Sequence, residues 1–339
     1  MTLAHGPVLK LHQLARQHGQ ALSLAALIEA RLDQLPLPAG GQTLARWRML
    51  SEVASLDLSL AKLFEGHTDA LAILAELGGP AVSSGQCWGT WCAEPPDARV
   101  SIERCVGGRV RLSGRKAWCS GAGEVSHALV SGWNEENRPW LAAVPLRQPG
   151  ITVTRDGWPA VGMAASGSVD VLFEAADAVA VGEPGEYVSR PGFWHGGAGI
   201  AACWFGGASG IARALKSRCS PASDVHRITH LGAIEAALAG PGALLREAAQ
   251  WIDAHPQEDA RRVAMTARLA VEQAAQSVLD HAGRALGAGP LCRDAKLARA
   301  VADLPIYLRQ SHAESDLEII GRLSVASALP STVRQPWTL

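Results

Sequence analysis

Two residues invite a chemical reading first: Trp118 and Ser120, in the run Gly-Arg-Lys-Ala-Trp-Cys-Ser-Gly-Ala over 114–122. Two apart on a strand, they point to the same side of a sheet. An indole face beside a hydroxyl suits a planar ligand, stacked on one and hydrogen-bonded by the other. The apolar run Trp-Gly-Thr-Trp-Cys-Ala-Glu-Pro over 88–95, which contains Trp91, Cys92 and Ala93, reads as a second strand.

Other chemistry-bearing spacings are weaker. His226 and His230 lie four apart, on one helical face, but no third metal ligand is evident and Ile228-Thr229 supplies no base between them. Packing, surface exposure or a phosphate contact all remain open for this pair. Gly197-Ala198-Gly199-Ile200-Ala201-Ala202 satisfies a Gly-x-Gly-x-x-Ala pattern, yet no strand precedes it. A closely packed helix explains it better than a dinucleotide site. Arg309-Gln310-Ser311-His312-Ala313-Glu314 is a polar cluster that reads as a buried network, and His195 is read either as lining a cleft or as packing at a helix start.

The chain of 339 residues is 48% hydrophobic, enough to bury a sizeable core, and carries 31 basic against 32 acidic residues. No run of Lys or Arg is present, which argues against a nucleic-acid or anionic-membrane surface. The seven cysteines (87, 92, 105, 119, 203, 219, 292) are scattered without a Cys-x-x-Cys. Reduced thiols and a cytoplasmic location are expected, with no disulfide framework and no metal site. The N-terminus lacks a signal-peptide pattern, and no apolar stretch is long enough for a membrane span to be expected.

Three regions must position these residues. Residues 1–80 are helical in pattern: Leu44, Trp47, Leu50, Ala54, Leu58 and Ala61 form an apolar stripe over 44–64, and a second helix is expected over 68–77, ending at Gly78-Gly79-Pro80. Residues 81–190 read as short strands: a hairpin over Val106-Gly107-Gly108, then runs at 128–133, 140–144, 151–154 and 169–173, suggesting an antiparallel barrel or sandwich. Residues 191–325 return to long helices, at 194–217, 224–254, 257–287 and 291–322, an antiparallel four-helix bundle. Gly199, Gly206, Gly207 and Gly210 in the first of these predict close approach of another backbone or a ligand. Residues 326–339 read as a tail.

Helices, then a β region, then a four-helix bundle is an α+β order, and with the motifs at 88–95 and 114–122 the chain resembles the acyl-CoA dehydrogenase family over nearly its whole length. Phe173-Glu174-x-x-Asp177-x-Val179-x-Val181-Gly182 is similar to the family's strand leading into the bundle, and Cys292-Arg293-Asp294-Ala295-Lys296 to its Arg-Asp-Ala-Lys. The resemblance implies FAD, held by Trp91, Cys92, Ala93, Trp118 and Ser120, and a homodimer or homotetramer. Departures stand beside it. Ala93 replaces the usual threonine, Pro96-Asp97-Ala98-Arg99 replaces a small-residue loop, and no Arg-x-x-Phe-Gly element is present for the adenine-side phosphates. The position the family gives to its catalytic glutamate is Ala302; the nearest carboxylate, Asp303, precedes Pro305, where a helix would bend and expose it. Asp303 is thus either the base or a helix cap.

The resemblance implies dehydrogenation of an acyl thioester or related small molecule, with the electron acceptor open. A flavin monooxygenase on the same fold needs no α-proton abstraction and answers the missing glutamate. A binding module without flavin is the third reading.

Overall fold

The computed structural model describes residues 5–312 and 314–326. The chain begins with α1 (His5–His18), α2 (Leu24–Glu29), α3 (Thr43–Leu56) and α4 (Leu58–Glu76). The single helix expected over 44–64 is broken at Asp57, whose backbone is extended and whose carboxylate accepts from the Leu60 N–H at 2.8 Å. This N-cap starts α4, which then runs unbroken through the segment expected to be a separate helix at 68–77. The apolar stripe survives the break because both helices turn it inward, with Trp47, Leu50, Leu58 and Ala61 all buried.

The middle of the chain forms β1 (Trp88–Trp91), β2 (Val100–Arg104), β3 (Arg109–Cys119), β4 (His127–Trp133), β5 (Pro139–Pro145), β6 (Ile151–Val153) and β7 (Val169–Val181). The strand order is β1-β4-β2-β3-β7-β5; β5 also pairs with β4, which closes the sheet into a barrel, and β6 lies along β7. The β2–β3 hairpin turns at Gly107 and Gly108, both at positive φ. The strand pattern predicts an antiparallel barrel or sandwich; the barrel that forms is mixed. β4 runs parallel to β1 and, at its end, to β2, because the hairpin between them returns the chain to its starting side before β4 begins.

Beyond α5 (Glu186–Ser189), the bundle comprises α6 (Gly192–Lys216), α7 (Val225–Ala254), α8 (Arg261–Leu286), α9 (Ala288–Arg293), α10 (Ala295–Tyr307) and α11 (Glu314–Ala326). The fourth long helix expected over 291–322 is therefore composite. Asp294 leaves helical geometry and caps α10 through the N–H groups of Lys296 and Leu297, so the Arg-Asp-Ala-Lys stretch marks a junction. Residues 327–339 of the expected tail lie outside the described residues.

α6 is the central helix, packed against α3, α4, α7, α8 and α10. Its glycines do what their number predicts. A Cβ on Gly206 would overlap the Ser51 carbonyl of α3, and one on Gly210 would lie 2.7 Å from the Ser55 carbonyl oxygen. Among the described helices, α7 alone is long and apolar enough to cross a membrane, although it holds no unbroken apolar stretch of eighteen residues. It packs along α8 and α6.

Candidate functional site

A cavity of about 610 Å³ opens where α4, β1, the end of β3, the start of α6 and the segment after Pro305 meet. All five residues expected at a flavin line it: Trp91, Cys92, Ala93, Trp118 and Ser120. The local reason differs from simple alternation. The β3–β7 register shifts between Lys116 and Cys119, and Trp118 sits in this bulge at φ 58°. Lys116, Ala117 and Cys119 are buried, while the Trp118 indole is turned out, 48% exposed. A bulge re-aims one side chain without ending the strand, and here it presents the indole to the cavity.

The strand ends are fastened by contacts that no short-range pattern shows. Trp91 is buried, and its Nε1 donates to the Ser120 carbonyl at 3.0 Å, tying β1 to the end of β3. Thr90 Oγ1 donates to the Gly66 carbonyl at 2.7 Å, tying β1 to α4. Ser120 Oγ is 2.8 Å from Ser168 Oγ, itself 2.7 Å from Ser166 Oγ, a chain of hydroxyls along the cavity edge. Lys116 is fully buried, and its Nζ donates to Glu94 Oε1 and to the carbonyl and hydroxyl of Ser131. The Glu94 after Ala93 and the Lys116 before Trp118 thus lock the two motif strands together. Beside them, Arg115 bridges Asp97 and Asp170, and its guanidinium holds the Asp97 carboxyl below the usual range.

Asp303 is placed differently from expectation. α10 continues through Pro305, and the carboxylate is buried, accepting from the Met163 N–H at 2.5 Å and, more weakly, from Ser59 Oγ at 3.5 Å. It is neither exposed at a bend nor part of the cavity lining. The helix it was read as capping does not begin there either; it anchors the loop at Met163 onto α10. Ala302 is covered by the same loop, since a Cβ on Gly162 would overlap its carbonyl.

Charged residues of α4, which no short-range motif in the sequence marks, also reach the cavity. Lys62, Glu65 and Asp69 line the cavity at spacings of three and four, one helical face. Lys62 Nζ lies 2.8 Å from Glu65 Oε2, and Asp69 is held by Arg46 at 2.8 Å. Burial pushes the Glu65 carboxyl up to about 7 although Lys62 opposes it, so this group exchanges a proton near neutrality. Lys62 is pulled down by burial, but Glu65 and Asp69 outweigh this and it stays cationic. The Tyr187 and Tyr307 phenols, also in the wall, are driven well up by burial and remain protonated.

The raised Glu65 value carries a sign. The folded carboxyl titrates at about 7 against an ordinary 4.5. The folded state therefore keeps a proton that the unfolded state has already released, and stability falls as pH rises through that window. We expect wild type to lose stability relative to Glu65→Gln between about pH 5 and about pH 8. Denaturant unfolding at several pH values checks this; a constant difference would contradict it.

The remaining histidines separate. His195 is buried and held neutral chiefly by burial, and it does not line the cavity, although its neighbours Trp194, Gly196 and Gly197 do. His312 lies at the cavity with Asp316, and Arg309 pairs with Glu272, so this cluster rims the cavity instead of being wholly buried. His230 Nδ1 lies 2.9 Å from His281 Nδ1 across α7 and α8, while His226 is exposed. No group of three metal-ligating side chains occurs among the described residues.

No family model matches the chain. The amino sugar nitrososynthase DnmZ of Streptomyces peucetius is 39% identical over 89 residues, 24% of this chain, and the match spans 22% of that relative's length. Solved structures match far more of the chain. FMN-bound TdsC, a dibenzothiophene monooxygenase from Paenibacillus sp. A11-2, superposes with a TM-score of 0.83 at 17% identity, covering 96% of this chain and 99% of that one. Methanesulfinate monooxygenase MsuC from Pseudomonas fluorescens gives 0.76 at 20% identity, over 97% and 99%. Butyryl-CoA dehydrogenase from Megasphaera elsdenii gives 0.80 at 15% identity, over 96% and 98%. The chain has the acyl-CoA dehydrogenase-like fold.

Proposed function

We propose that the protein is a flavin-dependent monooxygenase acting on a small molecule bound in the cavity between α4, α6 and the barrel. The observation that carries this reading is the position of Asp303. Dehydrogenation of an acyl thioester needs a carboxylate poised to remove an α-proton, and the carboxylate nearest the family's position is committed to the Met163 N–H, outside the cavity. Oxygen transfer has no such need. It accords with the likeness in fold to monooxygenases and with the partial match to an amino sugar nitrososynthase.

The residues present fit a flavin. The Trp118 indole is half exposed within the cavity, and Ser120, Trp91, Cys92 and Ala93 line the same cavity. Bound reduced flavin would supply two electrons and two protons to dioxygen, one oxygen atom passing to the substrate and the other leaving as water. Trp118 would stack on the ring and keep bulk water from one face. Ser120, already oriented by Ser168, would offer its hydroxyl to the ring edge. Glu65 and Lys62 would hold or return a proton at the substrate side, since a group titrating near neutrality does this best. We take the flavin to be FMN in place of the FAD implied by the family, because the chain lacks the Arg-x-x-Phe-Gly element for the adenine-side phosphates.

Glu65 also supports a second reading, in which it serves as the base of a dehydrogenase. Two arms separate them. Under the first, protein loaded with reduced FMN and given ¹⁸O₂ incorporates one labelled atom into an amine or sulfur compound. Under the second, butyryl-CoA bleaches oxidised flavin without oxygen. Bleaching with no label incorporated would overturn the monooxygenase reading.

The cofactor site has its own test. Trp118→Ala is expected to weaken FMN binding at least about tenfold, from lost stacking and buried aromatic area. Titration followed by flavin fluorescence reads this, and unchanged affinity would remove Trp118 from the site.

A further inference from the structure

Among the described residues, four lysine and arginine side chains reach the cavity wall, and three are matched. Lys62 pairs with Glu65, Arg190 with Glu76, and Arg309 with Glu272. The fourth, Arg268 of α8, has no carboxylate within 4.0 Å among the described residues. Its guanidinium is held by main chain and an aromatic face instead. Nη2 donates to the Gln310 carbonyl at 2.9 Å, Nη1 to the Gly197 carbonyl at 3.4 Å, and the group lies 5.3 Å from the centre of the Trp204 ring.

These contacts fix the plane of the fork without neutralising it. Carbonyl oxygens and an indole face are dipolar partners, and a guanidinium keeps its charge in a protein. Burial pulls the group down, opposed from further off by Asp316, Glu272 and Glu65, of which Glu272 already serves Arg309, Glu65 serves Lys62, and Asp316 accepts from the His312 N–H. A buried cation left without its own counter-ion is costly, and a ligand anion would relieve that cost. A second observation points the same way. The Tyr307 hydroxyl is buried, lines the same cavity and, beyond the neighbouring Cys203 thiol, has no hydrogen-bond partner among the described residues.

We propose that Arg268 is the specificity-determining residue for an acidic group, a carboxylate or phosphate, on the substrate, with the Tyr307 hydroxyl as a second donor. A planar fork recognises such oxygens bidentately, where an ammonium would not. This assignment rests on the cavity being the substrate site. The same chemistry could serve the flavin's own phosphate, so the test has an arm for each source.

The experiment is calorimetric titration of benzoate and of its neutral isostere benzamide into wild type, Arg268→Gln and Arg268→Lys, all first checked for equal thermal midpoints. We expect wild type to prefer benzoate at least about tenfold, Arg268→Gln to lose that preference, and Arg268→Lys to keep part of it. Riboflavin and FMN are titrated in parallel, and their affinity ratio should be the same in wild type and Arg268→Gln. Equal affinity for benzoate and benzamide in wild type overturns the proposal, as does loss of the FMN preference alone in Arg268→Gln, which would give the anion site to the cofactor. If Arg268→Gln unfolds, Arg268→Lys still decides through its benzoate-to-benzamide ratio. The titrations run on flavin-free protein, so a failure of oxygen transfer would sink the monooxygenase reading while leaving this one standing.

Discussion

Lys116→Ala is expected to destabilise the protein by about 3–5 kcal/mol, the cost of breaking a buried, hydrogen-bonded ion pair. The ammonium is fully buried and makes three hydrogen bonds, to Glu94 Oε1 and to both oxygens of Ser131. Removing it leaves the Ser131 carbonyl without that donor and opens a void the length of the lysine stem. Part of the loss is softened, because the Glu94 side chain is 30% exposed and keeps its bonds to Ser131 Oγ and Trp133 Nε1. The lower half of the range is therefore the firmer expectation. Lys116→Met retains the stem, so the difference between the two variants separates packing from charge. Urea unfolding measures both. A loss under about 1 kcal/mol for the alanine variant would mean that a solvated Glu94 compensates fully, contrary to this account.

The effect should reach the cavity, since Glu94 directly follows Ala93 and Lys116 lies two residues before Trp118. Flavin affinity should fall with Lys116→Ala under conditions where the variant is still folded, although no atom of Lys116 lines the cavity.

A comparable disruption is expected from Gly206→Val. At this position α6 lies directly on the backbone of α3, and the nearest atoms to an added Cβ are the Cα, carbonyl carbon and oxygen of Ser51. None of these can rotate away, so the helices must separate. Separation would unpack Trp47 and Leu50 of α3, which lie against Gly199 further along α6 and are nearly fully buried. Overpacking in a core costs about 1–3 kcal/mol where side chains can yield; with backbone on both sides we expect at least the upper end, seen as a large drop in thermal midpoint or loss of soluble protein. Gly232→Ala on α7 is the matched control. Nothing lies within 4 Å of its added Cβ, and higher helix propensity should stabilise it by up to about 1 kcal/mol. Equal behaviour of the two variants would refute the close-contact explanation.

Much of this was legible in the chain. The glycines of α6 announced a close approach, though not that α3 makes it. Val106-Gly107-Gly108 announced a hairpin turn, and it is one. Trp118 and Ser120, singled out by the family resemblance and placed on one face by strand alternation, do line the cavity together, but through a bulge that alternation does not contain. Asp57 and Asp294 were cap signals hidden inside apolar periodicities that looked continuous. Asp303 lies just before Pro305 in sequence, which suggests an exposed bend, whereas its partner in space is Met163.

The division follows from the range of each interaction. Residue order by itself determined the succession of helices, strands and bundle, because apolar periodicity, turn glycines and aspartate caps act over a few positions. Tertiary structure alone decided that Lys116 meets Glu94 and Ser131, that Glu65 sits dry enough to titrate near neutrality, and that Arg268 faces the cavity without a carboxylate of its own among the described residues. A buried charge is defined by what surrounds it. Its surroundings come from segments distant in the chain, whose meeting leaves no periodic trace in the sequence of any one of them.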